Sequence, residues 1–169
     1  EYVSGAVESR RRTRLNPINA EAVAMPSSDQ AFWDARYDRP DYLFGDRPNR
    51  FLAGQADRLQ AGMKALAVAD GEGRNGVWLA ERGLEVVTTD ISPVAVRKAR
   101  RLAEARGVRL DAQVADLEHW AWPTDAFDVV VAIFIQFAPP HMRARLFERI
   151  KTALRPGGLL LMQGYRPEQ

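Results

Sequence analysis

Short apolar runs recur along most of this chain, and each has the length of a buried β-strand. They fall at residues 65–69, 84–89, 110–115, 127–134 and 159–162. Runs of this length that are rich in β-branched and other aliphatic residues are typical of strands inside a folded domain. The pattern therefore predicts five short buried strands.

Amphipathic segments separate most of these runs. Ser92 and Pro93 have the residue types of an N-cap and a first helical position, and they predict a helix to about Arg106. A second apolar stripe before Pro156 and Gly157 predicts another helix; its members are Met142, Leu146, Phe147, Ile150 and Leu154. Strands that alternate with helices pair in parallel through right-handed crossovers. The predicted fold is a Rossmann-like, doubly wound α/β sheet with its ligand crevice at the carboxyl ends of the strands.

The amino-terminal residues 1–30 show no apolar periodicity. An arginine cluster lies there, formed by Arg10, Arg11, Arg12 and Arg14. So short a basic run is typical of a solvated tail, although it also suits a phosphate or an anionic lipid. We expect a flexible arm over residues 1–30 and one domain over residues 31–169.

Aromatic residues are dense between residues 32 and 51, among charges and the turn residues Gly45 and Pro48. This density predicts a lid or an amino-terminal cap in front of the first strand. Apolar residues near helical spacing then predict a helix over about residues 49–61.

Composition narrows the class of protein. A chain of 169 residues with 46% hydrophobic content is long enough for one globular domain. Its formal net charge of +2 predicts no nucleic-acid-binding surface. The sequence contains no cysteine, which excludes disulfides and a cysteine nucleophile and favours the cytoplasm. No apolar run is long enough to span a membrane, and neither His119 nor His141 has metal-ligand spacing, so we expect no metal.

A glycine loop follows the first predicted strand and carries the candidate chemistry. The spacing Gly71-x-Gly73-x-x-Gly76 lets the backbone turn sharply at the start of a helix and approach a ligand closely. Asp90 comes 19 residues after Gly71, at the end of the second strand, where a carboxylate accepts hydrogen bonds from ribose hydroxyls. Loop, strand and acid together predict a cofactor that contains adenosine; a tight turn with a capping aspartate is the minor alternative.

Nicotinamide and S-adenosylmethionine enzymes share this geometry, and three features favour the second. An aromatic segment precedes the first strand, Asp116 and Leu117 follow the third strand where an adenine amino group binds, and Arg155-Pro-Gly-Gly158 leads into the fifth strand. Only the third glycine, Gly76, favours a nicotinamide-binding domain.

On these residues the sequence resembles class I S-adenosylmethionine-dependent methyltransferases. Within that class it is similar to the small bacterial group of tellurite-resistance and thiopurine methyltransferases. The motifs that carry the resemblance are Trp33-Asp-Ala-Arg-Tyr37, Tyr42-Leu-Phe-Gly45, Pro48-Asn49, Gly71-Glu-Gly-Arg-Asn75, Asp90-Ile-Ser92, Ala115-Asp-Leu117 and Arg155-Pro-Gly-Gly158.

The resemblance implies a strand order of 3-2-1-4-5, S-adenosyl-L-methionine as cofactor and methyl transfer to a small molecule such as a thiol or chalcogen nucleophile. It implies a cofactor site with the glycine loop at the methionine part, the second-strand acid at the ribose and the third-strand acid at the adenine. The expected cofactor residues are Asp70, Gly71, Gly73, Asn75, Asp90, Ile91, Asp116 and Leu117.

Acceptor-side residues are expected from position alone. Tyr37, Tyr42 and Phe44 either close over the cofactor sulfonium through cation-π contacts or pack in an aromatic core. Gln136, just after the fourth strand, either orients the methyl acceptor or only ends the strand.

This chain departs from the family pattern in its first motif. Aligned on Gly71 and Gly73, the usual acid and first glycine of the family correspond to Ala67 and Ala69. The nearby acid is Asp70 instead. It either takes over the salt link to the amino group of the cofactor or is a surface turn residue.

The second departure concerns the fifth strand, which is followed by only a few residues up to Gln169. The family sheet continues with two more strands, so we expect a truncated member. Such a member either retains methyl transfer or only binds S-adenosylmethionine. An exposed edge of the fifth strand also predicts a homodimer.

Overall fold

The computed structural model describes residues 28–165, and their centre is a sheet of five parallel strands in the order β3-β2-β1-β4-β5. The strands are β1 (Lys64–Val68), β2 (Glu85–Asp90), β3 (Asp111–Val114), β4 (Phe127–Ile133) and β5 (Leu154–Gln163). The helices are α1 (Ser28–Tyr37), α2 (Arg50–Ala53), α3 (Arg74–Glu81), α4 (Pro93–Ala105) and α5 (Pro140–Ala153). The predicted α/β fold and strand order are confirmed.

The two central strands form the core. All but the first residue of β1 and nearly all of β4 are buried, as expected for parallel strands that helices cover on both faces. Leu66 packs on one face in a cluster with Leu146 and Ile150 of α5. On the other face Ala67 lies in a cluster with Leu79 of α3. The packing of helices on both faces of the sheet keeps the carboxyl ends of β1 and β4 beside each other.

The helix predicted after Ser92 is present as α4. The hydroxyl oxygen of Ser92 accepts a hydrogen bond from the Ala95 N–H at 3.1 Å, which is the N-cap arrangement, and Pro93 occupies the first turn. Val96 and Leu102 lie on its buried face. The cap matters for the site because it fixes the turn that directly follows Asp90.

The helix predicted over residues 49–61 is wrong. The structure has only the short helix α2, which ends where the Gly54 N–H donates to the Arg50 carbonyl, and a 3₁₀ turn at Ala56–Arg58. Glycine costs about 1 kcal/mol relative to alanine inside a helix, and this is enough to end a segment of this length. Leu52 and Leu59 still reach the core across the break.

The fifth strand starts earlier than predicted. Leu154, expected on the apolar stripe of α5, has extended backbone and pairs with Phe127 as the first residue of β5. Proline at 156 disfavours helical conformation at the preceding residue, so the helix ends at Ala153. The strand then bulges, because the next pair joins Val129 to Leu159.

The amino-terminal boundary also differs. Residues 28–30, placed in the predicted arm, already belong to α1, while residues 1–27 lie outside the described part of the chain. Within residues 28–165 no helix has both the length and the apolar character needed to cross a membrane.

Candidate functional site

The glycine loop and the second-strand acid meet at the carboxyl edge of the sheet. Asp90 ends β2, and its Oδ2 accepts a hydrogen bond from the Gly71 N–H at 2.8 Å. Its Oδ1 accepts another from the Ser92 N–H at 2.9 Å. The structure therefore places Gly71 and Asp90 in contact, and each carboxylate oxygen keeps lone-pair capacity for one more donor.

Two glycines of the loop are required both by their backbone conformation and by the space around them. Gly71 and Gly73 have φ of 60° and 87°, in the left-handed region. A Cβ on Gly73 would lie 2.6 Å from the Cβ of Ala99 in α4, and one on Gly71 would lie 2.7 Å from the Tyr37 hydroxyl. The loop is thus held between α4 on one side and Tyr37 on the other.

The departure in the first motif is visible in the backbone. Ala69, at the position where the resemblance expects a glycine, has a φ of 50°. The chain therefore keeps the left-handed turn of the motif with an alanine in it. Ala67, at the position of the usual acid, is buried in the core. No carboxylate reaches the site from that position.

Asp70 does not behave as a surface turn residue. Its Oδ2 accepts a hydrogen bond from the Gly76 N–H at 2.8 Å, so it caps the start of α3. Burial raises its pKa to about 7, against the Gly76 N–H and the Asn75 side chain, which lower it. A salt link from Asp70 to a cofactor amino group stays a prediction.

Negative charge concentrates around the loop. Burial raises the pKa of Asp90 to about 6; hydrogen bonds from Ser92 and Gly71 oppose this shift, and nearby Asp34 and Glu72 add to it. For Tyr37, burial raises the phenol pKa far above its usual range, and the charges of Asp90, Glu72 and Asp70 raise it further. The phenol stays protonated, and the site favours a cation.

The three residues predicted as a lid lie in different environments. Tyr37 is buried, stacks on Trp33 with ring centroids 5.6 Å apart, and places its hydroxyl against the glycine loop. Tyr42 packs against α3 and α4 under a cation-π contact from Lys98. Phe44 is half exposed and lies beneath the guanidinium of Arg74. Of the three, Tyr37 lies against the main chain of the loop at Gly71, while Phe44 meets the loop through the Arg74 side chain.

Sequence reasoning missed the residues that fasten this segment, which we call the strap (residues 37–43). Lys98 of α4 donates to the carbonyls of Tyr37, Arg39 and Asp41, and Glu72 accepts from the Leu43 N–H at 2.7 Å. Lys98 shares a helix face with buried Ala95 and Leu102; that spacing is the signal that marks it as inward-facing.

Asp34 of the Trp33-Asp-Ala-Arg-Tyr37 motif was also missed. Its Oδ1 accepts from the Ser92 hydroxyl and from the Val94 N–H, the latter at 3.2 Å. A carboxylate at the start of α4 complements the helix dipole. The motif therefore joins α1 to α4 next to Asp90.

The remaining predicted residues surround the same edge. Asn75 is buried, and its Oδ1 accepts from the Asn49 N–H at 2.9 Å. Asp116 follows β3 and accepts from the Glu118 N–H at 2.9 Å and pairs with His119, while Leu117 packs inward. Ile91 lies between Asp90 and the cap of α4. Their contact with a cofactor stays a prediction.

Gln136 lies beyond the carboxyl end of β4, on the exposed side of the site. Just before it, Phe134 has a φ of 58°, which is strained for a bulky residue. The Phe134 ring stacks on Tyr165 with centroids 4.5 Å apart. Backbone strain of this kind clusters at functional sites, so this end of β4 is a candidate acceptor wall.

Comparison with known proteins gives consistent matches. A family profile described as a methyltransferase domain matches residues 65–158. An uncharacterised protein of Mycobacterium tuberculosis is 32% identical over 100 residues, which are 59% of this chain and 36% of that protein. The ribosomal RNA small subunit methyltransferase C of Chromohalobacter salexigens is 27% identical over 177 residues, covering 92% of this chain and 51% of that protein.

A solved structure agrees with the fold. The S-adenosylmethionine-dependent methyltransferase from Thiobacillus denitrificans, in complex with S-adenosyl-L-homocysteine, has a TM-score of 0.57 and 25% identity. The match covers 70% of this chain and 49% of that one. This chain spans about a third to a half of the curated relatives it matches. The finer resemblance to tellurite-resistance and thiopurine methyltransferases stays a prediction.

Proposed function

Because this chain belongs to the methyltransferase-domain family, we propose that its carboxyl-edge site transfers a methyl group from S-adenosyl-L-methionine to a small-molecule thiol or chalcogen nucleophile. Family membership and the S-adenosyl-L-homocysteine complex of the Thiobacillus relative confirm the predicted cofactor. The observation that carries the proposal is the hydrogen bond from Gly71 to Asp90, which joins the turn after β1 to the acid after β2.

The residues present fit this cofactor. Gly71 has no room for a side chain beside Tyr37, so the loop brings its bare main chain up to the Tyr37 hydroxyl. Asp90 retains acceptor capacity for ribose hydroxyls after its two main-chain hydrogen bonds. The carboxylates that raise the pKa of Tyr37 also favour the positively charged sulfonium over a neutral ligand.

To catalyse methyl transfer, a protein mainly has to orient the methyl donor and the acceptor and to exclude water. S-adenosyl-L-methionine supplies an electrophilic methyl group on a sulfonium. In this chain Asp90 would hold the ribose, the Gly71–Gly73 turn would hold the methionine part, and Tyr37 would cover it. The exposed Gln136, just after β4, would orient an acceptor at the open side. Tyr37 stays protonated, so it is not the base.

A second candidate acceptor is RNA. The ribosomal RNA small subunit methyltransferase C of Chromohalobacter salexigens, which matches 92% of this chain, methylates ribosomal RNA according to its name. The small formal charge of +2 favours a small molecule over a polyanion. A further alternative is a domain that binds the cofactor without transferring methyl groups.

We also propose a homodimer through β5 and a cytoplasmic location. Leu160 and Met162 of β5 are exposed at 36% and 44%, which suits coverage by a second copy. The absence of cysteine suits a reducing compartment. Light scattering tests the first proposal, with a monomeric mass counting against it.

Calorimetric titration tests the cofactor, and an acceptor panel tests the reaction. We expect binding of S-adenosyl-L-methionine and S-adenosyl-L-homocysteine, and no binding of NAD. Methyl transfer is then measured with small thiols, selenide and tellurite against unmodified ribosomal RNA. Transfer to RNA alone would replace the small-molecule assignment, and binding without any transfer would reduce the function to cofactor binding.

A further inference from the structure

A buried ion pair lies beneath the strap, between the glycine loop and α4. Glu72 and Lys98 pair through Glu72 Oε1 and the Lys98 ammonium, with side chains only 3% and 10% exposed. Ion pairs that give up this much hydration are weak sources of net stability. The pair is therefore better explained by the main-chain groups of the strap that Glu72 and Lys98 also bind.

The Lys98 ammonium holds the strap main chain at alternate residues. It donates to the carbonyl oxygens of Tyr37, Arg39 and Asp41 at 3.2, 3.0 and 2.7 Å. An ammonium has three donor hydrogens, and here it faces four oxygen atoms, those of the three carbonyls and Glu72 Oε1, so none of its hydrogens is left for another partner. Charge-assisted bonds of this kind are about twice as strong as neutral ones.

Glu72 holds the other end of the strap. Its Oε2 accepts from the Leu43 N–H at 2.7 Å, while Oε1 faces Lys98. The two side chains together bind the main chain at four points, independently of the side chains that the strap carries. Of these four points, the first belongs to Tyr37, whose hydroxyl lies against Gly71.

We propose that Glu72 and Lys98 are positioning residues that hold the strap, and with it Tyr37, over the glycine loop before the cofactor binds. This inference rests on the proposed function, since it assigns the pair to the S-adenosyl-L-methionine site. Without the pair, cofactor binding would have to order the strap at the same time. Ordering a flexible segment lowers affinity, and preorganisation removes that loss.

The test compares three variants of the 169-residue chain. Lys98→Met keeps the side-chain length and removes every polar contact of the ammonium. Glu72→Gln keeps an oxygen that accepts from Leu43 and removes the charge. Lys151→Met is the matched control, because Lys151 is exposed on α5 and pairs with the exposed Glu148.

Two measurements are made on each variant: amide hydrogen exchange without cofactor, and the Kd for S-adenosyl-L-methionine by calorimetry. We expect Lys98→Met to raise exchange selectively over residues 38–43 and to raise the Kd tenfold or more. Glu72→Gln should change both in the same direction by a smaller factor. Lys151→Met should leave both unchanged.

An unchanged Kd and unchanged strap exchange in Lys98→Met would overturn the inference while the wild-type chain still binds the cofactor. Loss of protection throughout the chain, without selectivity for the strap, would also overturn it and leave a purely structural role. If Lys98→Met does not fold, Glu72→Gln combined with Lys98→Met removes both buried charges and is measured in the same way. A wild-type chain that binds no S-adenosyl-L-methionine would overturn the proposed function as well.

Discussion

The carboxyl edge of the sheet has two halves that are held in different ways. At the ends of β1 and β2, the carboxylates of the partly buried Asp70 and the buried Asp90 bind main-chain N–H groups, and glycines fill space that no side chain could share. At the ends of β4 and β5, Phe137 and Tyr165 are exposed at 46% and 65%, and Gln136 faces outward. The first half is rigid enough to receive a fixed ligand, and the second is open to a variable one.

This contrast matches the division of labour in methyl transfer. A cofactor that is the same in every turnover is bound by backbone and by buried charge. An acceptor is bound by exposed side chains that differ from one enzyme to another. The contrast predicts that substitutions in the first half change stability and cofactor affinity, and that those in the second change only acceptor use.

The largest effect is expected from Gly73→Ala. The new Cβ would lie 2.6 Å from the Ala99 Cβ at a φ of 87°, so α4 must move away from the loop. Overpacking and a left-handed alanine together cost about 3 kcal/mol of unfolding free energy. Urea denaturation measures this loss.

Gly107→Ala is the control, since Gly107 has a φ of 66° and open space around it, and this variant should lose only about 1 kcal/mol. Equal losses would mean that α4 does not constrain the loop.

Asp90→Asn should weaken cofactor binding with a smaller effect on the fold. The amide can keep one main-chain hydrogen bond but loses the charge that strengthens bonds from ribose hydroxyls. We expect a loss of about 1.5 to 3 kcal/mol in binding free energy, or roughly 10- to 150-fold in Kd. Calorimetry with S-adenosyl-L-homocysteine measures it. Unchanged affinity would remove Asp90 from the site.

Asp70 should make the protein less stable as pH rises. Its folded pKa of about 7 lies above the usual value of 3.8, so between these pH values the folded chain keeps a proton that the unfolded chain has lost. The unfolding free energy therefore falls as pH rises through this window. Asp90, with a pKa of about 6, lowers the unfolding free energy in the same direction over a narrower pH range. Asp70→Asn should flatten the slope between pH 5 and 7 by about 1 kcal/mol per pH unit. Denaturant titrations at several pH values measure this slope, and an identical slope in the variant would contradict the assignment.

The smallest effect on the fold and on cofactor affinity is expected from Gln136→Ala. This side chain is exposed beyond β4, so its loss should change stability by less than about 0.5 kcal/mol. The KM for the acceptor should rise severalfold while the Kd for S-adenosyl-L-methionine stays within twofold. Steady-state kinetics with varied acceptor measures this. An equal change in both constants would place Gln136 in the cofactor half.

The sequence predicted the rigid half well because its signals are local. Glycine spacing, the Ser92-Pro93 cap and the distance to Asp90 each depend on a few neighbouring residues, and all are present in the structure. The helix predicted over residues 49–61 was wrong because its signal was also local. The apolar spacing continues past Gly54, but the helix ends at Ala53.

The strap anchors could not be predicted in the same way. The spacing of Lys98 from Ala95 and Leu102 marks it as inward-facing, but its partners are about 60 residues away in sequence, so no local pattern identifies them. Glu72 lies between two glycines, where the sequence pattern describes the backbone and says nothing of a buried charge. Lys98 binds main-chain carbonyls, which every residue has, so the sequence of the strap does not show that it is bound.

At Ala69 the chain keeps a left-handed turn without the glycine that suits this conformation best. Its left-handed φ of 50° is imposed from outside, by the Asp70 N–H bonded to the Thr89 carbonyl and the Gly73 N–H bonded to the Asp70 carbonyl. A left-handed alanine costs about 1 to 2 kcal/mol, which the lower entropy of its unfolded chain offsets only in part. The chain therefore accepts a small loss of stability at this position. This position is consequently a place where the motif can drift without loss of the turn.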